Sequence, residues 1–291
     1  MEKGKTNTPN KVELVLSNVY NLPPIPQVMT DVINLLNKPN TSVSELSAVI
    51  SKDQSIITKI LTIANSPLYG LSRKVSSIDF AIFLLGFSEI QNIVSTLTLI
   101  ETFRNKSDKY MDQSEFWKHS FITGAAAKRL CADLGVQGGS EAFIAGFLHD
   151  LGVSIMHRYF HSKFPSIVEK IADEKISPSQ AEKEILGVSH EEIGHYLAEK
   201  WNFPDNLADI VLYHHDPMNA KINKKLTLII HFADYMTHKM GIGDFKWDRD
   251  LELNDAVYDE FNFKDEIEIE NFMMEYKKFL TDQFEMIRFL N

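Results

Sequence analysis

A single cysteine, Cys131, stands among the 291 residues, so no disulfide can close within the chain and a reducing compartment is expected. It lies in a small-residue helical stretch and reads as core. Long hydrophobic runs are missing too. The longest, such as 81–87, fall far short of the ~20 residues that cross a bilayer as a helix, and the opening MEKGKTNTPNK has no apolar leader segment. These absences lead us to expect a soluble, cytoplasmic protein with no membrane partner. Positive charge is the scarcer sign: 30 Lys and Arg stand against 40 Asp and Glu, a net charge of −10, with a pI near 5.5. That balance argues against nucleic acid as a main partner. Alternating apolar and polar runs bounded by Asn-Gly or Asp-Gly turns are absent, which removes the usual signature of a sheet. Internal repeats and low-complexity tracts are absent as well.

What remains is helical. Hydrophobic residues make up 44% of the chain, enough for a sizeable core. Ile56, Ile57, Ile60, Leu61 and Ala64 share one face at 3.6-residue spacing, and Ser42-x-x-Glu45 reads as a capping box. The expected fold is all-α: a helical bundle preceded by an N-terminal helical subdomain. Punctuation divides the chain into a helical block at 12–104, a polar link at 105–113 and a second block at 114–243. An acidic C-terminal extension follows at 244–291. From Lys246 onward it carries 13 acidic against 6 basic residues, the pattern of a solvated surface. It ends in an amphipathic helix with a stripe of Phe272, Tyr276, Phe279, Leu280, Phe284 and Ile287, spaced to pack on its own chain or, less commonly, on a partner.

All ten histidines fall in the second block. Glu115 and His119 are four apart and share a helix face. His149-Asp150 follows the apolar run 142–148, so the pair is delivered into a dry interior. His190 begins one helical stretch, and His214-His215 end another at Val211-Leu212-Tyr213. Asp234 sits inside Ile229-Ile230-His231-Phe232-Ala233, where an aspartate is costly unless paired or metal-bound. Singly, each has a plainer reading: histidines on apolar faces are commonly core residues, and Asp234 could pair with a lysine. The ordered set is stronger than its members, because imidazoles and carboxylates together suit transition metals.

That order resembles the HD superfamily of metal-dependent phosphohydrolases, whose motif reads here as His119, His149-Asp150, His190, His214-His215 and Asp234. The longer form, with Glu115 one turn before the first histidine, is similar to HD-GYP phosphodiesterases. The stretches Leu22-Pro23-Pro24-Ile25-Pro26, Ile63-Ala64-Asn65-Ser66-Pro67-Leu68-Tyr69-Gly70, Ala81-Ile82-Phe83-Leu84-Leu85-Gly86 and Trp201-Asn202-Phe203-Pro204 resemble HDOD, the HD-related output domain of bacterial-type regulators. The resemblance covers roughly residues 12–241 and implies two metal ions bridged by Asp150, with a third through Glu115. Iron or manganese is favoured, with zinc or nickel as alternatives. Two HD-GYP features are missing. Val153 stands where the pattern His-Asp-x-Gly-Lys has a lysine near the substrate phosphate, and Asp216-Pro217-Met218 replaces the Gly-Tyr-Pro triplet.

Three readings follow. In the first, a signal-transduction output module uses its metal site to bind a protein partner or a small phosphorylated ligand. In the second, the site is an active phosphohydrolase or phosphodiesterase acting on a nucleotide or cyclic dinucleotide, with Asp150 as the metal bridge and Arg158, Lys128 or Arg129 standing in for the missing lysine. In the third, the histidines are metal-free core residues.

Overall fold

The computed structural model describes residues 11–16, 27–36, 38 and 40–287; the Pro-rich turn at 22–26 lies outside them. Among the described residues the fold is all-α, with no strand. Local signals act as their chemistry requires. Ser42 and Glu45 form a reciprocal capping box at the start of helix Val43–Ile50, each satisfying a free N–H. Ile56, Ile60 and Ala64 are the buried stripe of helix Gln54–Ala64. Asn65, in one of the stretches resembling HDOD, donates to Leu61 O (2.6 Å) and Val75 O (2.9 Å) and accepts from Val75 N (2.8 Å). One side chain thereby pins the whole connection between two helices.

The second block is organised around helix Gln113–Asp133, buried for most of its length. Helix Gly139–Leu148 crosses it at two facing glycines. A Cβ on Gly146 would lie 2.8 Å from Gly124 Cα, and one on Gly124 would lie 2.6 Å from Phe143 O. Backbone cannot yield as a flexible side chain can, so alanine at either site overpacks the crossing at a cost of about 1–3 kcal/mol. Gly152 plays the same part between helices Leu151–Tyr159 and His190–Lys200, where any side chain would collide with the His190 backbone. These close approaches are what bring histidines from separate helices together.

A single hydrophobic cluster runs through both blocks. Trp201, from another of the stretches resembling HDOD, packs on Phe103 with centroids 5.3 Å apart. Arg158 donates to Thr102 O (2.8 Å), and Lys128 pairs with Glu89 (2.6 Å). The stretch read as a link is pinned to the second block: Asp108 contacts His157 Nε2 at 3.0 Å, and Gln113 Nε2 contacts His157 Nδ1, also at 3.0 Å. The aromatic stripe of helix Glu266–Met286 faces its own chain. Tyr276 donates to Asp133 (2.7 Å), Arg129 lies over the Tyr276 and Phe279 rings, and Lys118 lies over Phe284. No single described helix is long and apolar enough to cross a membrane.

Candidate metal centre

Five segments converge on one buried point. His119 comes from the middle of helix Gln113–Asp133, and His149-Asp150 from the break between helices Gly139–Leu148 and Leu151–Tyr159. His190 opens its helix, His214-His215 follow helix Asp205–Tyr213, and Asp234 lies within Lys224–Lys239. Asp150 is the N-cap residue of the helix it precedes, yet its carboxylate makes no cap hydrogen bond. It is turned to the histidines instead.

The two oxygens of Asp150 divide the cluster. Oδ2 faces His149 Nε2 (3.3 Å) and His119 Nε2 (3.9 Å), while Oδ1 faces His190 Nε2 (3.4 Å) and His214 Nε2 (3.6 Å). On the Oδ2 side, Asp234 Oδ1 lies 3.1 Å from His119 Nε2 and 3.5 Å from His149 Nε2. On the Oδ1 side, His215 Nε2 lies 3.2 Å from His190 Nε2. Each oxygen of one carboxylate thus serves its own set of imidazoles.

Outer hydrogen bonds fix which ring nitrogen faces inward. His149 Nδ1 lies 2.7 Å from Gly146 O, and His214 Nδ1 lies 2.7 Å from Val211 O. A carbonyl only accepts, so Nδ1 carries a proton in both rings and Nε2 is the atom left facing Asp150. His190 Nδ1 is held the same way by Glu182 at 2.9 Å. Glu182 is itself fixed by the Trp247 indole (2.9 Å) and the His190 backbone N–H (2.6 Å).

The inward atoms are close but misaligned. His119 Nε2, His149 Nε2, His214 Nε2 and both oxygens of Asp150 and Asp234 are buried and have no hydrogen-bond partner among the described residues. So many orphaned lone pairs around one point are costly unless a cation joins them. The donors are nitrogen and oxygen without thiolate, the chemistry that suits iron, manganese or zinc. The residues present fit such ions, and four-residue and three-residue groups able to hold one meet at Asp150.

The electrostatics match this geometry. Burial alone would depress His149, but Asp150 and Asp234 outweigh it and hold the imidazole well above its ordinary range. Burial would raise Asp150 and Asp234, but the facing histidines, His149 foremost, hold both well below the carboxylate range. Burial, reinforced by His215, lowers His214 to about 4. His215 moves the other way: Asp248 overcomes burial and raises it to about 9. Without metal the cluster thus retains protons, which cation binding would have to displace.

Of the residues singled out in the sequence, His119, His149, Asp150, His190, His214, His215 and Asp234 come together. Glu115 does not. It pairs with Lys118 (3.0 Å) and accepts from the Asp244 N–H (2.9 Å). The three cations offered in place of the missing lysine are engaged elsewhere: Arg158 with Thr102 O, Lys128 with Glu89 and Arg129 with Asp133 (3.2 Å). Val153 itself is 0% exposed. Sequence reasoning missed His238, whose Nε2 lies 3.4 Å from Asp234 Oδ1; its i+4 spacing from Asp234 was the available signal. It also missed Glu182 and Asp248, which had none.

A family model described as the HDOD domain matches residues 22–217. The chain belongs to the HDOD family. Asp234, His238 and Asp248 lie beyond the matched span. An HDOD domain protein of unknown function from Geobacter sulfurreducens is 25% identical, with a TM-score of 0.79 over 97% of each chain. A protein from Marinobacter aquaeolei VT8, named as a candidate signal transduction protein, shares the fold at 23% identity and a TM-score of 0.70, over 93% of this chain and 61% of its own. A Treponema pallidum (strain Nichols) protein is 25% identical over 236 residues, 79% of this chain and 45% of its own. This chain thus spans less than half the length of that curated relative.

Proposed function

We propose that this HDOD chain is a signal-transduction output module whose pair of transition-metal ions organises a surface for a protein partner. His119, His149, Asp234 and His238 would hold one ion and His190, His214 and His215 the other, with one Asp150 oxygen toward each. Bound there, the ions would join donors from separate helices and neutralise the buried carboxylates. The Marinobacter protein's name points toward signalling in the same way.

The observation that carries binding over turnover is Val153. At the position where HD-GYP sequences have a lysine for the substrate phosphate, this chain has a side chain buried in the core. The groove outside the centre, about 1170 Å³, offers no substitute: nine carboxylates line it against Lys109, Lys175, Lys246 and Arg249. Positioning supplies a large share of barrier reduction, and this mouth repels a phosphodiester. The opposing reading, an active phosphohydrolase, draws on the completeness of the donor set around Asp150.

Elemental analysis after gentle purification should find two equivalents of iron or manganese; less than one of any such metal sinks the proposal. Metal-loaded protein should be inactive or very slow on cyclic dinucleotides and simple phosphodiesters. Turnover near ~1 per second that disappears in Asp150→Ala would establish the enzyme reading instead.

A further inference from the structure

The acidic extension does not begin as a solvated surface. Residues 244–252 form a non-helical strap between helices Lys224–Lys239 and Ala256–Phe261, and the strap touches the metal-centre histidines His119 and His215. It is anchored at successive points. The Asp244 N–H donates to Glu115 Oε2 (2.9 Å), and Phe245 packs edge-on to Phe116 (5.4 Å) and beside His119 (5.1 Å). Trp247 stacks on Phe164 (4.9 Å, 18°), and its indole N–H donates to Glu182, the carboxylate that orients His190.

These anchors set one acid apart from its neighbours. The side chains of Asp244 and Asp250 are 76% and 94% exposed, while Asp248 is 5% exposed. Its Oδ2 lies 3.5 Å from His215 Nε2 without hydrogen-bond alignment, and no donor among the described residues satisfies it. A buried carboxylate oxygen in that state is costly, and it is the state of the Asp150 and Asp234 oxygens. His215 Nε2 faces this oxygen and His190 Nε2 together, two imidazoles and a carboxylate converging from three segments.

We propose that Asp248 is a further metal ligand, through which the strap 244–252 closes the His190–His214–His215 side of the centre to phosphate and other exchangeable ligands. This deepens the metal-centre reading and rests on it. Catalytic metals keep a coordination position open for water or substrate, whereas structural ones are enclosed by protein donors. Asp248 occupies the side from which a groove ligand would approach, since both it and His215 line that groove. Glu115, which the sequence suggested as a ligand for a third ion, serves instead as the latch for the strap's first residue.

The test uses the full chain saturated with Mn²⁺, read by water-proton relaxation per bound ion and by broadening of the phosphorus resonance of inorganic phosphate. Wild type should hold two ions, show relaxation from outer water only and leave phosphate sharp. Asp248→Ala should gain the relaxation of an exchangeable water, broaden phosphate and weaken one of the two ions by at least about tenfold. Should that variant fail to fold, Asp248→Asn keeps the volume and should weaken the same ion. Asp250→Ala, on the exposed side of the strap, should match wild type. A wild type holding fewer than two ions overturns the metal centre and the strap together. Two ions, with relaxation, phosphate signal and affinity unchanged in the Asp248 variants, overturn the strap alone.

Discussion

The two sides of Asp150 are built differently. On the Oδ2 side, His119 and Asp234 project from helix interiors, and His149 and His238 from helix ends. On the Oδ1 side, His190 is the first residue of its helix, His214-His215 follow the last turn of theirs, and Asp248 sits on a strap with no helix at all. The first set is sealed. The second borders the groove, with the His215 side chain 15% exposed. The difference teaches where this fold can change: helix interiors hold their geometry for as long as the core does, whereas helix ends and straps can be remodelled at lower cost.

The largest expected effect removes the comparison altogether. Asp150→Ala takes the shared carboxylate from both sides, so metal content should fall below one equivalent and the protein should melt at lower temperature. Removing one member of a buried charge cluster costs about 3–5 kcal/mol because the others are left uncompensated. His161→Ala should leave metal content unchanged, since that ring is largely exposed and faces Asp108 rather than the centre. Metal analysis with thermal denaturation decides both; full metal content in Asp150→Ala would mean that the two sides do not share a bridge.

Glu182→Gln sharpens the comparison on one side. The change weakens the acceptor that holds His190 Nδ1, so the Oδ1-side ion should bind roughly 10–100-fold more weakly while the other is untouched. Chelator titration should show the same order, one ion leaving early and the second late. Simultaneous loss would show the two sides to be a single cooperative unit.

Much of this was legible in advance. Periodicity and caps announced an all-α chain, because helix faces are written at 3.6-residue spacing. The order His119, His149-Asp150, His190, His214-His215, Asp234 named seven residues that do converge. The illegible parts share a cause. Asp248 sits in a run of acids, and only the anchoring of Trp247 and Phe245 separates it from neighbours that face water. Glu115 shares a helix face with His119, but the Asp244 N–H and Lys118 draw its carboxylate away, and sequence spacing does not register a contact 129 residues distant. Val153 reads as a simple vacancy where a lysine could be restored. In the fold it is core, so Val153→Lys would bury an unpaired ammonium and test stability before it tested catalysis.

A third expectation concerns the division at 105–113, which the sequence marks as a link. We propose that the two blocks move as one body, since Asp108 and Gln113 are tied to His157 and the cluster of apolar residues is continuous. Limited proteolysis should give no early, clean cut there. Release of two stable halves would show that only the second block carries the comparison between the two sides.

The smallest effect is read at Cys131, which shares helix Gln113–Asp133 with His119. Burial pushes its thiol up to about 12, so the native protein presents essentially no thiolate at neutral pH, and a thiol-specific reagent must wait for the helix to open. In the opened chain the thiol returns to its ordinary pKa of ~8.5. Labelling should therefore quicken about tenfold per pH unit below ~8.5 and level off above it. A rate that kept climbing toward pH 12 would mean reaction in the folded state. Because an ion on the Oδ2 side would clamp His119 to Asp234 and His149, its removal should speed labelling, whereas removal of an Oδ1-side ion alone should not. Equal acceleration from either ion would show that strain passes through Asp150 and that the sealed side is no more rigid than the strapped one.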